Sequence, residues 1–154
     1  MAAFSRAADL FEAVRDTPFM YISLSEAGHM KLKLKDYVSA EEIYRKTIIF
    51  FNDGPGKSAV IHQLESFGMV AAYQGQLARA AMLLGAAKAL RASEQSVRLP
   101  IEELEFNEAL AHLAAKMGER ERDAVMVKGA KMGVDEAVDF ALEKTSSLNE
   151  LEDS

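Results

Sequence analysis

The feature that most constrains this chain is an internal repeat. When Phe67 to Ala80 (FGMVAAYQGQLARA) is set beneath Ala27 to Ala40 (AGHMKLKLKDYVSA), Gly68 falls on Gly28, Leu77 on Tyr37 and Ala80 on Ala40, each 40 residues on. The stretch from His62 to Leu90 holds the clearer copy and reads as two apolar-faced helices joined by a very short turn. A period in the thirties to forties, with a helical hairpin in each unit, is the pattern of a solenoid. No unit buries its apolar face alone, so stacking supplies the core.

Apolar spacing along the chain predicts about eight helices. The first, from Ala2 to Val14, carries Phe4, Ala7, Ala8, Phe11 and Val14; the second starts at Thr17-Pro18 and runs to about Leu34 with Met20, Leu24 and Ala27 on one line. Asp36 opens the third (Tyr37, Ala40, Tyr44, Ile48, Phe51), which stops at the turn formers Asn52-Asp53-Gly54-Pro55-Gly56. The fourth takes Val60, Ile61, Leu64, Phe67 and Ala71 inward, and the fifth Leu77, Ala80, Ala81, Leu84 and Ala87. Arg91 to Leu99 has lost the stripe and reads as a linker. Pro100 with Glu102 and Glu103 then starts a sixth helix, since acids suit the positive end of the dipole. A weaker seventh, roughly Arg120 to Lys128, is interrupted by Gly129 and Gly133, and Val134, Ala137, Val138 and Ala141 mark the eighth. No segment alternates with the period of two that a strand requires. The expected fold is all-α, a right-handed α-solenoid of hairpins: repeats over 1–90 with the first helix a half repeat, a linker at 91–99, a degenerate C-terminal repeat or cap at 100–144, and a frayed acidic tail at 145–154.

Composition narrows the function classes. There is no cysteine, which removes disulfide frameworks and thiolate zinc sites and fits a cytoplasmic location. The net charge of −6 disfavours direct nucleic-acid binding, which rests on a basic surface. No apolar run approaches the roughly 20 residues of a spanning helix. The start MAAFSRAADLF, with Arg6, Asp9 and Glu12, does not read as a signal peptide.

The hairpin pattern resembles the tetratricopeptide repeat: Ala27-Gly28, Leu34, Asp36-Tyr37 and Ala40 in one unit, Gly68, Gly75, Leu77 and Ala80 in the next. Ala7, Leu10 and Phe11 align with Ala40, Ile43 and Tyr44, so the chain reads as beginning in mid-repeat. A second resemblance covers His62 to about Leu142. His62-x-Leu64-Glu65, Gln74-Gly75-Gln76, Ala80-Ala81-x-Leu83-Leu84-Gly85-Ala86-Ala87, Leu99-Pro100 and Asp135-Glu136-Ala137 look like the C-terminal end of the repeat array in large bacterial ATPase-type transcriptional regulators. That resemblance implies a partner-binding or signal-sensing array. It carries over neither DNA binding nor ATP hydrolysis, whose domains lie upstream in that family.

Candidate chemistry is sparse. Gly56-Lys57-Ser58 resembles the end of a phosphate-binding loop, but the glycine needed five positions earlier is Phe51, so the segment reads as a helix start. His29, His62 and His112 show no i, i+4 pairing for a metal. Glu102 and Glu103 belong to a first helical turn, and Glu105 and Glu108 read as a solvated face. No catalytic residue, metal or cofactor is expected, and the chain reads as a non-catalytic interaction module for a protein or peptide partner. By register, Ile22, Ser25, His29 and Lys33 of one unit should lie beside His62, Glu65, Met69 and Tyr73 of the next in a concave groove. The alternative is a small-ligand or signal-sensing domain. A first helix with one uncovered face, bearing Phe4 and Phe11, also points to self-association as a homo-oligomer.

Overall fold

The computed structural model describes residues 17–54 and 56–143. Among the described residues the chain is all-α, with seven helices: α1 (Thr17–Lys33), α2 (Tyr37–Asn52), α3 (Lys57–Tyr73), α4 (Leu77–Glu94), α5 (Pro100–Met117), α6 (Glu119–Gly129) and α7 (Val134–Leu142). None of these helices is long and apolar enough to cross a membrane. The helix expected over 2–14, with Phe4 and Phe11, and the acidic tail at 145–154 lie outside the described residues.

The sequence repeat is also a backbone repeat. α1 and α3 begin and end 40 residues apart, and so do the turns that follow them. In the first turn the Asp36 N–H donates to Lys31 O at 2.9 Å and the Lys35 N–H to Leu32 O at 3.0 Å; in the second the Gln76 N–H donates to Ala71 O at 2.9 Å and the Gly75 N–H to Ala72 O at 3.2 Å. This pair of bonds is the Schellman closure, which requires a left-handed residue between the helices. Lys35 (φ 65°) and Gly75 (φ 81°) fill that position, glycine without the Cβ penalty that lysine carries. The Asp36 side chain accepts the Ser39 N–H at 3.3 Å and so caps α2. Those bonds hold its carboxyl below the usual carboxylate range.

Small residues set how closely the helices approach. A Cβ on Gly28 would stand 3.0 Å from the Tyr44 ring, and one on Gly68 2.6 Å from Leu84. Tyr44 and Leu84 are themselves repeat equivalents. Around these crossings the core closes with Ile48, Val60, Ile61, Leu64, Phe67 and Leu83, all essentially buried. One polar chain runs through it: Thr47 Oγ1 donates to Gln63 Oε1 at 2.6 Å, and Gln63 Nε2 donates to Ser25 Oγ at 3.1 Å. It ties α1, α2 and α3 together with the amide's polar atoms satisfied, as burial demands.

From the end of α4 onward the structure departs from the sequence expectation in one place and adds to it in another. First, α4 runs through Glu94, four residues into the stretch read as a linker, and a third Schellman closure at Gln95 (φ 54°) ends it, with the Ser96 N–H on Arg91 O at 2.9 Å. Second, Gly129, where α6 ends as the sequence predicts, also docks that helix. A Cβ there would lie 2.8 Å from the Met82 carbonyl carbon, and one on Gly85 2.7 Å from Met126 Cα, so the α4 and α6 backbones cross in direct contact. α7 then returns to pack on α2, α3 and α4. Its C-terminal carbonyls are taken by two arginines, Arg79 Nη2 to Ala141 O at 2.7 Å and Arg45 Nη1 to Leu142 O at 3.1 Å, which suits the negative end of a helix.

This geometry predicts unequal costs for the same substitution. Gly85→Ala and Gly129→Ala each force backbone apart and should destabilise by about 2–3 kcal/mol, despite alanine's better helix propensity. Gly133→Ala, with φ −76° and nothing within 4 Å of the added Cβ, should be nearly neutral. Urea melts of the three variants check the contrast.

Candidate functional site

Three helices wall a cleft. α1 and α3 lie side by side and α5 packs against α3, so that side chains of the three helices line two adjoining cavities, with Met69 and Glu105 common to both. One, of about 190 Å³, is lined by Ser25, His29, His62, Glu65, Leu99 and Glu102 among others. The second, of about 520 Å³, is lined by Lys33, Tyr37, Tyr73, Glu108 and His112 with neighbouring groups. Thus the structure brings Ser25, His29, Lys33, His62, Glu65, Met69 and Tyr73 together on one cleft. Ile22 stays apart, 46% exposed and lining neither cavity.

Glu65 is the most enclosed of these groups, only 2% exposed. Its carboxylate accepts from Arg91 Nη2 at 3.0 Å and Arg91 Nε at 3.2 Å, a bidentate pair, and from Arg98 Nε at 2.7 Å. Arg98 also lies 3.7 Å over the Phe106 ring, and Arg91 reaches Glu102 at 3.6 Å and donates to Ser96 Oγ at 3.2 Å. Glu65 therefore serves as the anchor that fastens the 95–99 segment and the start of α5 to α3. Both arginines lie in the stretch read from sequence as a linker.

Glu105 corrects a second expectation. Read as a solvated residue, its side chain is only 15% exposed and spans the cleft, with His29 Nε2 at 3.2 Å from one oxygen and Lys33 Nζ at 3.9 Å from the other. Glu108 is exposed, yet it too lines the larger cavity. The α5 wall was missed because its members were sorted by charge. The signal that would have found it is their spacing: Ile101, Glu105, Glu108 and His112 fall on one helical face.

Burial sets the protonation of the two groups on the cleft floor. Removal from water holds the His62 imidazole below its usual value, although Glu102 and Glu65 pull the other way. The Tyr73 hydroxyl is pushed up, first by burial and then by Glu108. Both groups are thus neutral hydrogen-bonding groups near pH 7. Among the described residues, no three His, Cys, Asp or Glu side chains converge as a metal-holding group. Gly56, Lys57 and Ser58 form the exposed start of α3.

Two measurements follow from these environments. Glu65→Gln removes the main countercharge of the buried Arg91 and the half-buried Arg98, leaving them only Glu102 and Glu103, and should cost about 3 kcal/mol in chemical denaturation, the size seen when one partner of a buried pair is removed. For His62, the unfolded chain binds the proton more readily than the native one. Stability contributed by the neutral ring is therefore complete above pH 6.5, the ordinary histidine value, and is lost as pH falls from there toward the lowered native value. A urea-midpoint profile should show that slope, and His62→Gln should flatten it.

The chain matches no known protein-family model, no curated protein and no solved structure.

Proposed function

We propose that this chain is a tetratricopeptide-like α-solenoid segment, a non-catalytic interaction module that docks a partner peptide or helix in the cleft between α1, α3 and α5. The observation that carries this reading is register. Ser25 and Glu65, His29 and Met69, and Lys33 and Tyr73 are pairs of repeat equivalents, and all six line the cleft. An array of hairpins presents equivalent helices to a shared surface in this way, and such surfaces take extended or helical ligands through scattered apolar anchors and polar contacts. The right-handed stacking and the likeness to the arrays of bacterial ATPase-type regulators belong to the same proposal, and a regulatory role in the cytoplasm would fit them.

Sensing of a small molecule is the weaker alternative on grounds of size. Pockets that enclose drug-sized ligands run from about 300 to 1,000 Å³. The more enclosed cavity, at about 190 Å³, falls below that range, and the larger one is an open trough better matched to a chain than to a compact metabolite.

The test is affinity capture from cell extract with the chain and with Met69→Ala/Tyr73→Ala, folding being checked by thermal melt. A specific partner should be retained by the former and weakened at least tenfold in the latter. Undiminished capture by the double variant would remove the cleft from the interaction.

A further inference from the structure

The two ends of the cleft differ in chemistry, and the larger cavity has the makings of a cation site. Tyr37, Tyr73 and His112 stand in a row, with ring centroids 6.2 Å apart for the tyrosines and 5.0 Å for Tyr73 and His112. Glu105 and Glu108 line the same cavity, and Leu32 and Met69 supply apolar surface. Aromatic faces carry negative quadrupole density, and a cation held over them and beside a carboxylate gains from both. The same acids act on Tyr73: burial first, and then Glu108 and Glu105, raise its hydroxyl above the usual value.

The cavity's own cations decide the polarity of its ligand. Lys33 Nζ lies 3.9 Å from Glu105 and is half exposed, a long pair of the kind that contributes little. His29 holds the other Glu105 oxygen, while Glu108 has no ion-pair partner among the described residues. Lys35 lines the cavity but makes no ion pair among the described residues. An incoming carboxylate would have to settle beside Glu105 and Glu108. An incoming guanidinium or ammonium meets the open Glu108, three rings, and two exposed lysines, Lys33 and Lys35, that can swing to solvent. The chain's net charge of −6 steers the same kind of partner.

We infer that this end of the cleft receives the basic side chain, arginine or lysine, of the partner peptide, with Glu108 as its counterion and Tyr37, Tyr73 and His112 as its aromatic wall. This rests on the reading of the cleft as a peptide groove. Selection of random dodecapeptides displayed against the full chain tests it, with Met69→Ala marking which binders use the cleft. Cleft-dependent peptides should share an arginine or lysine at one position. Their affinity should fall about three- to tenfold with Glu108→Gln and with Tyr73→Leu, survive in Tyr73→Phe, and rise in Lys33→Ala. Glu108 is exposed, so its variant carries little folding risk. Cleft-dependent peptides without a basic position, or indifferent to Glu108→Gln, would overturn the cation site and leave the groove standing. Peptides all indifferent to Met69→Ala, or none selected, would overturn the groove and the cation site with it.

Discussion

The buried carboxylate of Glu65 governs the geometry of everything on the cleft side of this molecule. A charge removed from water is tolerated only when paired and hydrogen-bonded, because its desolvation costs several kcal/mol. Here two guanidiniums converge on it, one bidentate from the end of α4 and one from the segment that leads into α5. Nothing apolar could hold that segment with the same directionality, for Val97 and Leu99 beside it are exposed. This cluster fixes the start of α5 beside α3, the buried Phe106, Ala109 and Leu113 hold the rest of the helix, and together they give the cleft its third wall.

On the opposite side, the constraint is steric rather than electrostatic. α4 meets α3 at Gly68 and α6 at Gly85, so one helix is held at close range by both neighbours. Close approach multiplies weak dispersion contacts, which suits a small core rich in alanine: Ala80, Ala81, Ala86 and Ala87 are all fully buried. The energetic character of the molecule is therefore divided, with tight backbone packing around α4 and a charge cluster at the α4–α5 junction.

That division explains what could be read from the sequence. The boundaries from the start of α1 to the start of α4 were legible because the turns at Leu34-Lys35-Asp36 and Gln74-Gly75-Gln76 and the crossings at Gly28 and Gly68 are local or repeat every 40 residues. Arg91 and Arg98 were not, because burial of a charge depends on its partner, and Glu65 lies 26 and 33 residues away. Glu105 was taken for a surface residue for the same reason, its partner His29 being on a different helix. Gly129 was legible as the end of a helix, but its docking role requires a second backbone, that of Met82, which no periodicity reveals. Of the groove, the α1 and α3 walls followed from register, whereas the α5 wall needed the Glu65 cluster to be known first.

Comparison of the two units with each other separates packing from recognition. Gly28 and Gly68 are identical, as are Ala40 and Ala80, and all four are buried at helix contacts. The cleft positions diverge: Ser25 against Glu65, His29 against Met69, Lys33 against Tyr73. A shared backbone restrains only the residues that set its spacing, so cleft side chains outside the Glu65 cluster, such as Lys33 and Tyr73, differ without cost to the stack, whereas Glu65 has become a buried anchor in one unit alone. Divergence at these positions yields a surface whose two ends are chemically distinct, with serine, histidine and carboxylates at one and tyrosines, lysines and acids at the other. On the proposed reading of the cleft as a peptide groove, ends of unlike chemistry would give a bound peptide a direction.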